Sequence, residues 1–222
     1  MGISTQRLVD TTYHVRGSEP KLLILSGTHG DETEVTDCVT RYIDTHQSEL
    51  PDYVYIPELS PTAVKLKTRR NLFGHDLNRE FIHEPIDPEV ITAMKILDPF
   101  TFSLCIAFHE DPDRRTSFYM YDSHILRDTE LLEYRQLITQ TDAKLFTGID
   151  DPADGKLALH VERGYIHTPI LGKHDTGFSM RWLIEDHKAQ RVFNPEIPGK
   201  ADMDLKQRLV DMIFEYSIPF VS

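Results

Sequence analysis

Cysteine is scarce in this chain, with Cys38 and Cys105 the only two among 222 residues. Two thiols cannot build a disulfide framework or a Cys-rich structural zinc site, so the small secreted class is excluded and a reducing, cytoplasmic setting is expected. Long apolar runs are missing too. No stretch approaches the ~20 apolar residues that a membrane-spanning helix needs, and the opening MGISTQRLVDTTYHV lacks the basic-then-apolar pattern of a secretory signal. Neither membrane insertion nor secretion is expected. Positive charge is in deficit, since 24 Lys and Arg stand against 36 Asp and Glu for a formal net charge of -12. A sequence-independent nucleic-acid binder displaces counterions with clustered Lys and Arg, and this balance argues against one. A Gly-rich phosphate loop of the GxxxxGK[ST] type is absent, which counts against a nucleotide-binding α/β protein.

What the chain does have is 40% apolar residues and enough length to bury a core without staples. Residues 21–27, KLLILSG, form an apolar run closed by glycine, and residues 33–46 place Val35, Val39, Tyr42 and Ile43 at helical intervals. Residues 53–56, 103–108, 117–121 and 181–184 read as further strands. Residues 88–97, 128–140 and 202–216 carry helical spacing, and Asp202 and Asp204 suit a helix start. Strands alternating with helices predict an α/β fold with a mixed, mainly parallel twisted sheet covered by helices on both faces. The stretches 148–155 and 193–199 read as surface loops rather than linkers, and no internal repeat is visible, so residues 1–222 are taken as a single catalytic domain.

Eleven histidines are the surplus in this composition, and four segments concentrate the chemistry. SGTHGDE follows the first strand with His29 and Glu32 three residues apart; such a pair can reach one cation, although the same spacing is common in solvated loops. Gly27, Thr28 and Gly30 leave room around it at a strand's carboxyl end. TRRNLFGHDLNREF gathers Arg69, Arg70, Asn71, Asn78 and Arg79, a set able to clamp a carboxylate or to form a charged surface loop neutralised by Asp76 and Glu80. AFHED delivers His109 at the end of an apolar strand, completing a His, Glu, His set that leaves a fourth position open. MRWLIED delivers Glu185 similarly, as a proton acceptor or as the start of a polar loop. His75 and His174 could line the same cleft, with exposed loop histidines as the plainer reading.

Taken in this order, the four segments resemble the zinc carboxypeptidase superfamily, which includes metallocarboxypeptidases, murein-peptide amidases and the succinylglutamate desuccinylase and aspartoacylase deacylases. GTHGDE and DLNR carry the specific part of that resemblance. It implies one zinc ion per chain held by His29, Glu32 and His109, with Glu185 as general base and acid and Arg69 holding the oxyanion of the scissile carbonyl. Asn78 and Arg79 would bind the substrate carboxylate, with Arg70 and Asn71 also among the substrate-binding residues; the adjacency of Arg69 and Arg70 leaves open which of the two faces the metal, and Tyr165 is the nearest counterpart of the family's substrate-covering tyrosine. The expected partner is a small peptide or an N-acyl amino acid with a free carboxylate.

Only residues 186–222 follow Glu185, which leaves no room for the further β-rich domain of the aspartoacylase-like deacylases. A carboxypeptidase or peptide amidase is therefore the expected branch, with an N-acyl amino acid deacylase as the alternative. A relative that keeps the metal or ligand without turnover is a second alternative, disfavoured because it would have no chemical need for Glu185.

Overall fold

The structure, a computed structural model, describes residues 2–152, 158–168 and 177–221. The chain opens with a hairpin of β1 (Ile3–Leu8) and β2 (Thr11–Arg16), followed by β3 (Leu22–Leu25), α1 (Thr33–Thr45), β4 (Tyr53–Ile56), α2 (Pro61–Leu66) and α3 (Pro88–Leu97). Then come β5 (Phe102–Ala107), β6 (His109–Asp111), β7 (Ser117–Asp122), α4 (Asp128–Thr139), β8 (Lys144–Leu145) and β9 (Gly148–Ile149). The remaining elements are β10 (His160–Val161), β11 (Tyr165–His167), α5 (Ser179–Glu185), β12 (Ala189–Pro198) and α6 (Met203–Ser217).

The main sheet runs β1-β2-β4-β3-β5-β12-β7-β11, with β6 paired to β12 and β8 to β7. Its centre, β4-β3-β5-β12, is parallel, and antiparallel pairings join β2 to β4 and β12 to β7. Central strands covered on both sides must be apolar on both sides. In β3, Leu22 and Ile24 pack beneath α1 and α6, whereas Leu23 and Leu25 pack beneath α3 and α5. Leu104 and Ile106 of β5 likewise separate from Cys105 and Ala107, as the two-residue period of a strand requires. Side-chain caps set two helix starts. Asp87 accepts from the amides of Glu89 and Val90, and Asp202 accepts from Leu205 at 2.8 Å.

The expected α/β architecture is present, but two sequence readings change. Residues 181–184 are not a strand; they lie in α5, where Met180 and Leu183 are buried at helical spacing and Glu185 ends the helix. Residues 193–199 are not a surface loop; 193–198 form the second half of β12, a central strand. Pro195 and Pro198 obscured it, because proline lacks the N–H that a ladder uses and is rare inside central strands. The pairing survives because Phe193, Asn194 and Glu196 oppose Asp122, Tyr121 and Tyr119 on one side, while Glu196 and Ile197 oppose His109 and Glu110 on the other. Of the 148–155 stretch, Gly148–Ile149 pairs with β10 and Asp150 is buried; residues 153–155 lie outside the described residues.

Candidate metal centre and active-site cleft

The carboxyl ends of β3 and β5 meet at the mouth of the cleft. After β3 the chain turns through Gly27, whose φ of +61° is left-handed and whose absent Cβ would fall 2.6 Å from the Pro57 carbonyl oxygen. Gly30 is tighter still, since a Cβ there would lie 1.8 Å from the carbonyl oxygen of Ala63. Two glycines around His29 thus let this turn pack directly on α2 and its approach. Glu32 occupies the N-cap position of α1 without a side-chain capping bond, and His109 opens β6 immediately after β5.

These elements bring together three side chains that the sequence separates. His29 Nδ1 lies 2.5 Å from Glu32 Oε1, and His109 Nδ1 lies 2.9 Å from Glu32 Oε2, with all three side chains buried. One potential ligand atom from each falls within 4.8 Å of the others, making this the group among the described residues that could hold a metal ion. Burial works against a charged His29, yet Glu32 and Asp76 outweigh it and hold the imidazole up at about 9. Burial also opposes a charged Glu32, but His29 and His109 pull its carboxyl well below the usual range. The carboxylates of Glu32 and Asp76 thus favour positive charge at His29. Two imidazole nitrogens and a carboxylate, without thiolate, suit an open catalytic metal site rather than a closed structural one.

Asp76 fixes the first ligand. Its Oδ1 lies 3.1 Å from His29 Nε2, so Nδ1 is the nitrogen left to face Glu32. Asp76 Oδ2 accepts from Arg69 Nε at 3.0 Å, and Arg69 Nη1 reaches to 3.8 Å from Glu32 Oε1. The carboxylate read from sequence as neutralising the arginines thus couples the DLNR segment to the metal group. The Nε2 of His109 is buried without a hydrogen-bond partner among the described residues.

A cavity of about 610 Å³ opens beside this group, lined by residues that include Arg69, Asn78, Arg79 and Glu196. Arg69 faces the metal group, which separates it from Arg70. Arg79 stacks on Phe178 with its guanidinium carbon 4.3 Å from the ring centroid. Asn78 Oδ1 accepts from both the amide and the hydroxyl of Ser179, each at 3.0 Å, tying the DLNR turn to α5.

Four sequence expectations do not reach this cleft. Glu185 stands at the end of α5, exposed and paired with Arg181 at 2.8 Å, because its segment is helical and directs the residue to solvent. Arg70 is exposed and donates to the Gly74 carbonyl. Asn71 is buried, with its amide nitrogen on Asp87 and Glu89 and its oxygen accepting from the amides of Phe73 and His75, so it shapes the loop rather than contacting a ligand. Tyr165 donates within a separate cluster to Asp122 and to the His124 carbonyl. His75 pairs with Asp87, away from the cleft lining, and His174 lies outside the described residues.

The carboxylate that does face the cavity is Glu196. It sits in register with His109 across the parallel β6–β12 pair, and its carboxylate makes no hydrogen bond or ion pair with any described residue. Burial, followed by the nearby negative charges of Glu32, Asp111 and Asp150, raises its proton affinity well above that of an ordinary glutamate, with Arg69 opposing. Sequence reading missed it because the prolines of NPEIP hid the strand. The apolar run Val192–Phe193 just before it was the available signal.

No protein-family model and no curated protein matches the chain. Solved structures do. A candidate metallopeptidase of Shewanella baltica superposes with a TM-score of 0.79 at 17% identity, over 99% of this chain and 87% of that one. The chain has a carboxypeptidase-like fold. A metallo-carboxypeptidase of Burkholderia cenocepacia aligns with a TM-score of 0.65 at 13% identity, over 99% of this chain and 65% of that chain. An aspartoacylase family protein of Mesorhizobium loti aligns with a TM-score of 0.59 at 17% identity, over 98% and 68% respectively. This carboxypeptidase-like fold is thus common to peptidase and acylase structures, while identities this low speak to fold alone. No helix among the described residues is long and apolar enough to cross a membrane.

Proposed function

We propose that the chain is a zinc-dependent hydrolase that cleaves an amide bond next to a carboxylate, as a carboxypeptidase or peptide amidase. The observation that carries this reading is the convergence of the buried His29, Glu32 and His109 group with Glu196 and Arg69 on one cavity. Zinc held by the three ligands would supply Lewis-acid polarisation of a carbonyl and a more acidic water.

The remaining steps belong to the chain's own groups. Glu196 takes the proton of the attacking water and returns it to the departing amine, a role that needs a carboxylate open to the cavity and not committed to another partner. Arg69, held by Asp76, places its guanidinium beside the metal group, where it stabilises the oxyanion that forms as the carbonyl is attacked. Asn78 and Arg79 anchor the substrate carboxylate from the same wall, so that the scissile bond is positioned before attack. Net negative charge does not prevent this, because the arginines act at contact distance while remote charge is screened.

An N-acyl amino acid deacylase is the second reading, supported by the shared fold with an aspartoacylase family protein. Both reactions leave an amine on a residue that bears a carboxylate. The test is a hydrolysis screen of C-terminal peptides, γ-linked murein peptides and N-acyl amino acids, with zinc content measured on the same sample. About one zinc per chain and turnover lost on chelation are expected; full turnover by the metal-free protein would sink the proposal.

A further inference from the structure

Beside Arg114, the cavity is lined by a group of hydrogen-bond acceptors on Tyr119, Tyr121, Asp111, Asp150 and Asn194. Tyr119 gives its hydroxyl proton to Asp111 Oδ2 at 3.0 Å, and Tyr121 gives its own to Asp150 Oδ2 at 2.5 Å. With those protons committed, what each hydroxyl can still offer is an oxygen lone pair. Asn194 stands two residues before Glu196 on β12, and therefore on the same face of the strand. It is more than nine-tenths buried and lines the cavity, and its Oδ1 has no hydrogen-bond partner among the described residues.

The two carboxylates of this wall differ. Asp111 is paired with Arg114, whose Nε lies 3.1 Å away and whose guanidinium stacks on Phe146. Asp150 is 5% exposed, and its carboxylate is held by neutral donors, the amides of Asp151 and Leu159 on Oδ1, each at 2.7 Å, and Tyr121 on Oδ2, while Arg114 Nη2 donates to its backbone carbonyl at 3.4 Å. It has no ion pair among the described residues. The Asp150 carboxylate thus has hydrogen bonds but no ion pair to its own oxygens, and the buried Asn194 Oδ1 lacks a donor that a ligand can supply.

We infer that this wall binds a cationic side chain, a primary ammonium or a guanidinium, on the substrate residue whose carboxylate is anchored by Asn78 and Arg79. Asp150 supplies the charge, and Asn194 Oδ1 with the two tyrosine oxygens supplies the acceptors. The residue released is then a basic amino acid. The inference rests on the cavity being the amide-hydrolysing site, and it narrows the substrate class of that site.

The test compares kcat/KM of the zinc-loaded full chain on matched N-acyl dipeptides ending in lysine, arginine, leucine or glutamate. A charge-assisted contact of this kind corresponds to roughly a tenfold to hundredfold preference for lysine and arginine over leucine. Asp150→Asn should lower that preference ratio by about tenfold, and Asn194→Leu should lower it by a few fold without touching a charge. Hydrolysis with leucine or glutamate preferred would overturn the inference and leave the hydrolase reading standing. If no dipeptide is cleaved, calorimetry with free lysine, arginine and leucine decides the inference independently. Selective binding of the basic amino acids that weakens in Asp150→Asn upholds it; equal or no binding overturns it.

Discussion

The ammonium group of Lys206, on α6, donates to the carboxylate of Glu110, the residue next to His109. Both are buried, and the same ammonium also donates to Glu34 at 2.5 Å and to the Gly199 carbonyl at 2.9 Å. Glu110 in turn accepts from the Val35 amide at 2.7 Å at the start of α1, while its own amide donates to Glu32 at 3.2 Å. One cation thus ties together the segments that carry Glu32 and His109. Removing one partner of a buried ion pair leaves the other uncompensated. Lys206→Met should therefore cost about 3 to 5 kcal/mol, read from urea unfolding of the metal-free protein. A loss within the range of an ordinary surface substitution would show that the pair does not brace the two segments.

The placement of Glu196 and Glu185 makes a paired prediction. Glu196→Gln should reduce kcat by roughly 10²- to 10⁴-fold while zinc content, measured by mass spectrometry, stays at the wild-type level. Glu185→Gln removes only an exposed contact to Arg181, so activity should remain within about twofold and stability within about 0.5 kcal/mol. The opposite ranking of the two variants would return the general base to the end of α5.

Asp76 orients His29 without being a ligand of the metal group. Asp76→Asn should weaken zinc binding by about 10- to 100-fold, measured by competition with a chromophoric chelator. It has a pH consequence as well. Burial opposes the charged carboxylate, but the hydrogen bond with His29 and the charges of His29 and Arg69 hold its pKa well below the normal range. A depressed folded-state pKa contributes stability that is present above the unfolded value, near 4, and is lost as pH falls below it. Unfolding of the metal-free protein should show this acid loss, and Asp76→Asn should flatten it.

Neither thiol should react in the folded protein. Burial, the largest influence, pushes Cys38 up to about 11, and Cys105 is raised further by burial alone. At pH 8 a disulfide reagent should therefore modify no cysteine in native conditions and two per chain in denaturant. Fast native labelling at one position would show that its helix or strand opens readily.

Much of this architecture was legible because it repeats local rules. The apolar runs of β3 and β5 and the spacing of Val35, Val39, Tyr42 and Ile43 in α1 announce buried strands and an amphipathic helix regardless of what surrounds them. His29, Glu32 and His109 were readable for the same reason, since the first two lie in the turn between β3 and α1 and His109 comes just after β5. Residues 181–184 show the limit: RWLI is a short, mostly apolar run, and periodicity cannot separate strand from helix at that length. Helix in place of strand is what carries Glu185 out to solvent.

By itself the sequence determined an acidic, cysteine-poor chain, an α/β fold, and the ligand types gathered near strand ends, because composition and local periodicity suffice for these. Tertiary structure alone decided which carboxylate serves the cleft. Glu196 reaches His109 through strand pairing between residues far apart in the chain, and the two prolines beside it carry the local signal of a loop. Register is a property of the assembled sheet, so no local window of the sequence contains it. The acceptor wall of Tyr119, Tyr121, Asp150 and Asn194 arises in the same way, from hydrogen-bond directions that exist only once β7, β12 and the segment after β9 are packed together.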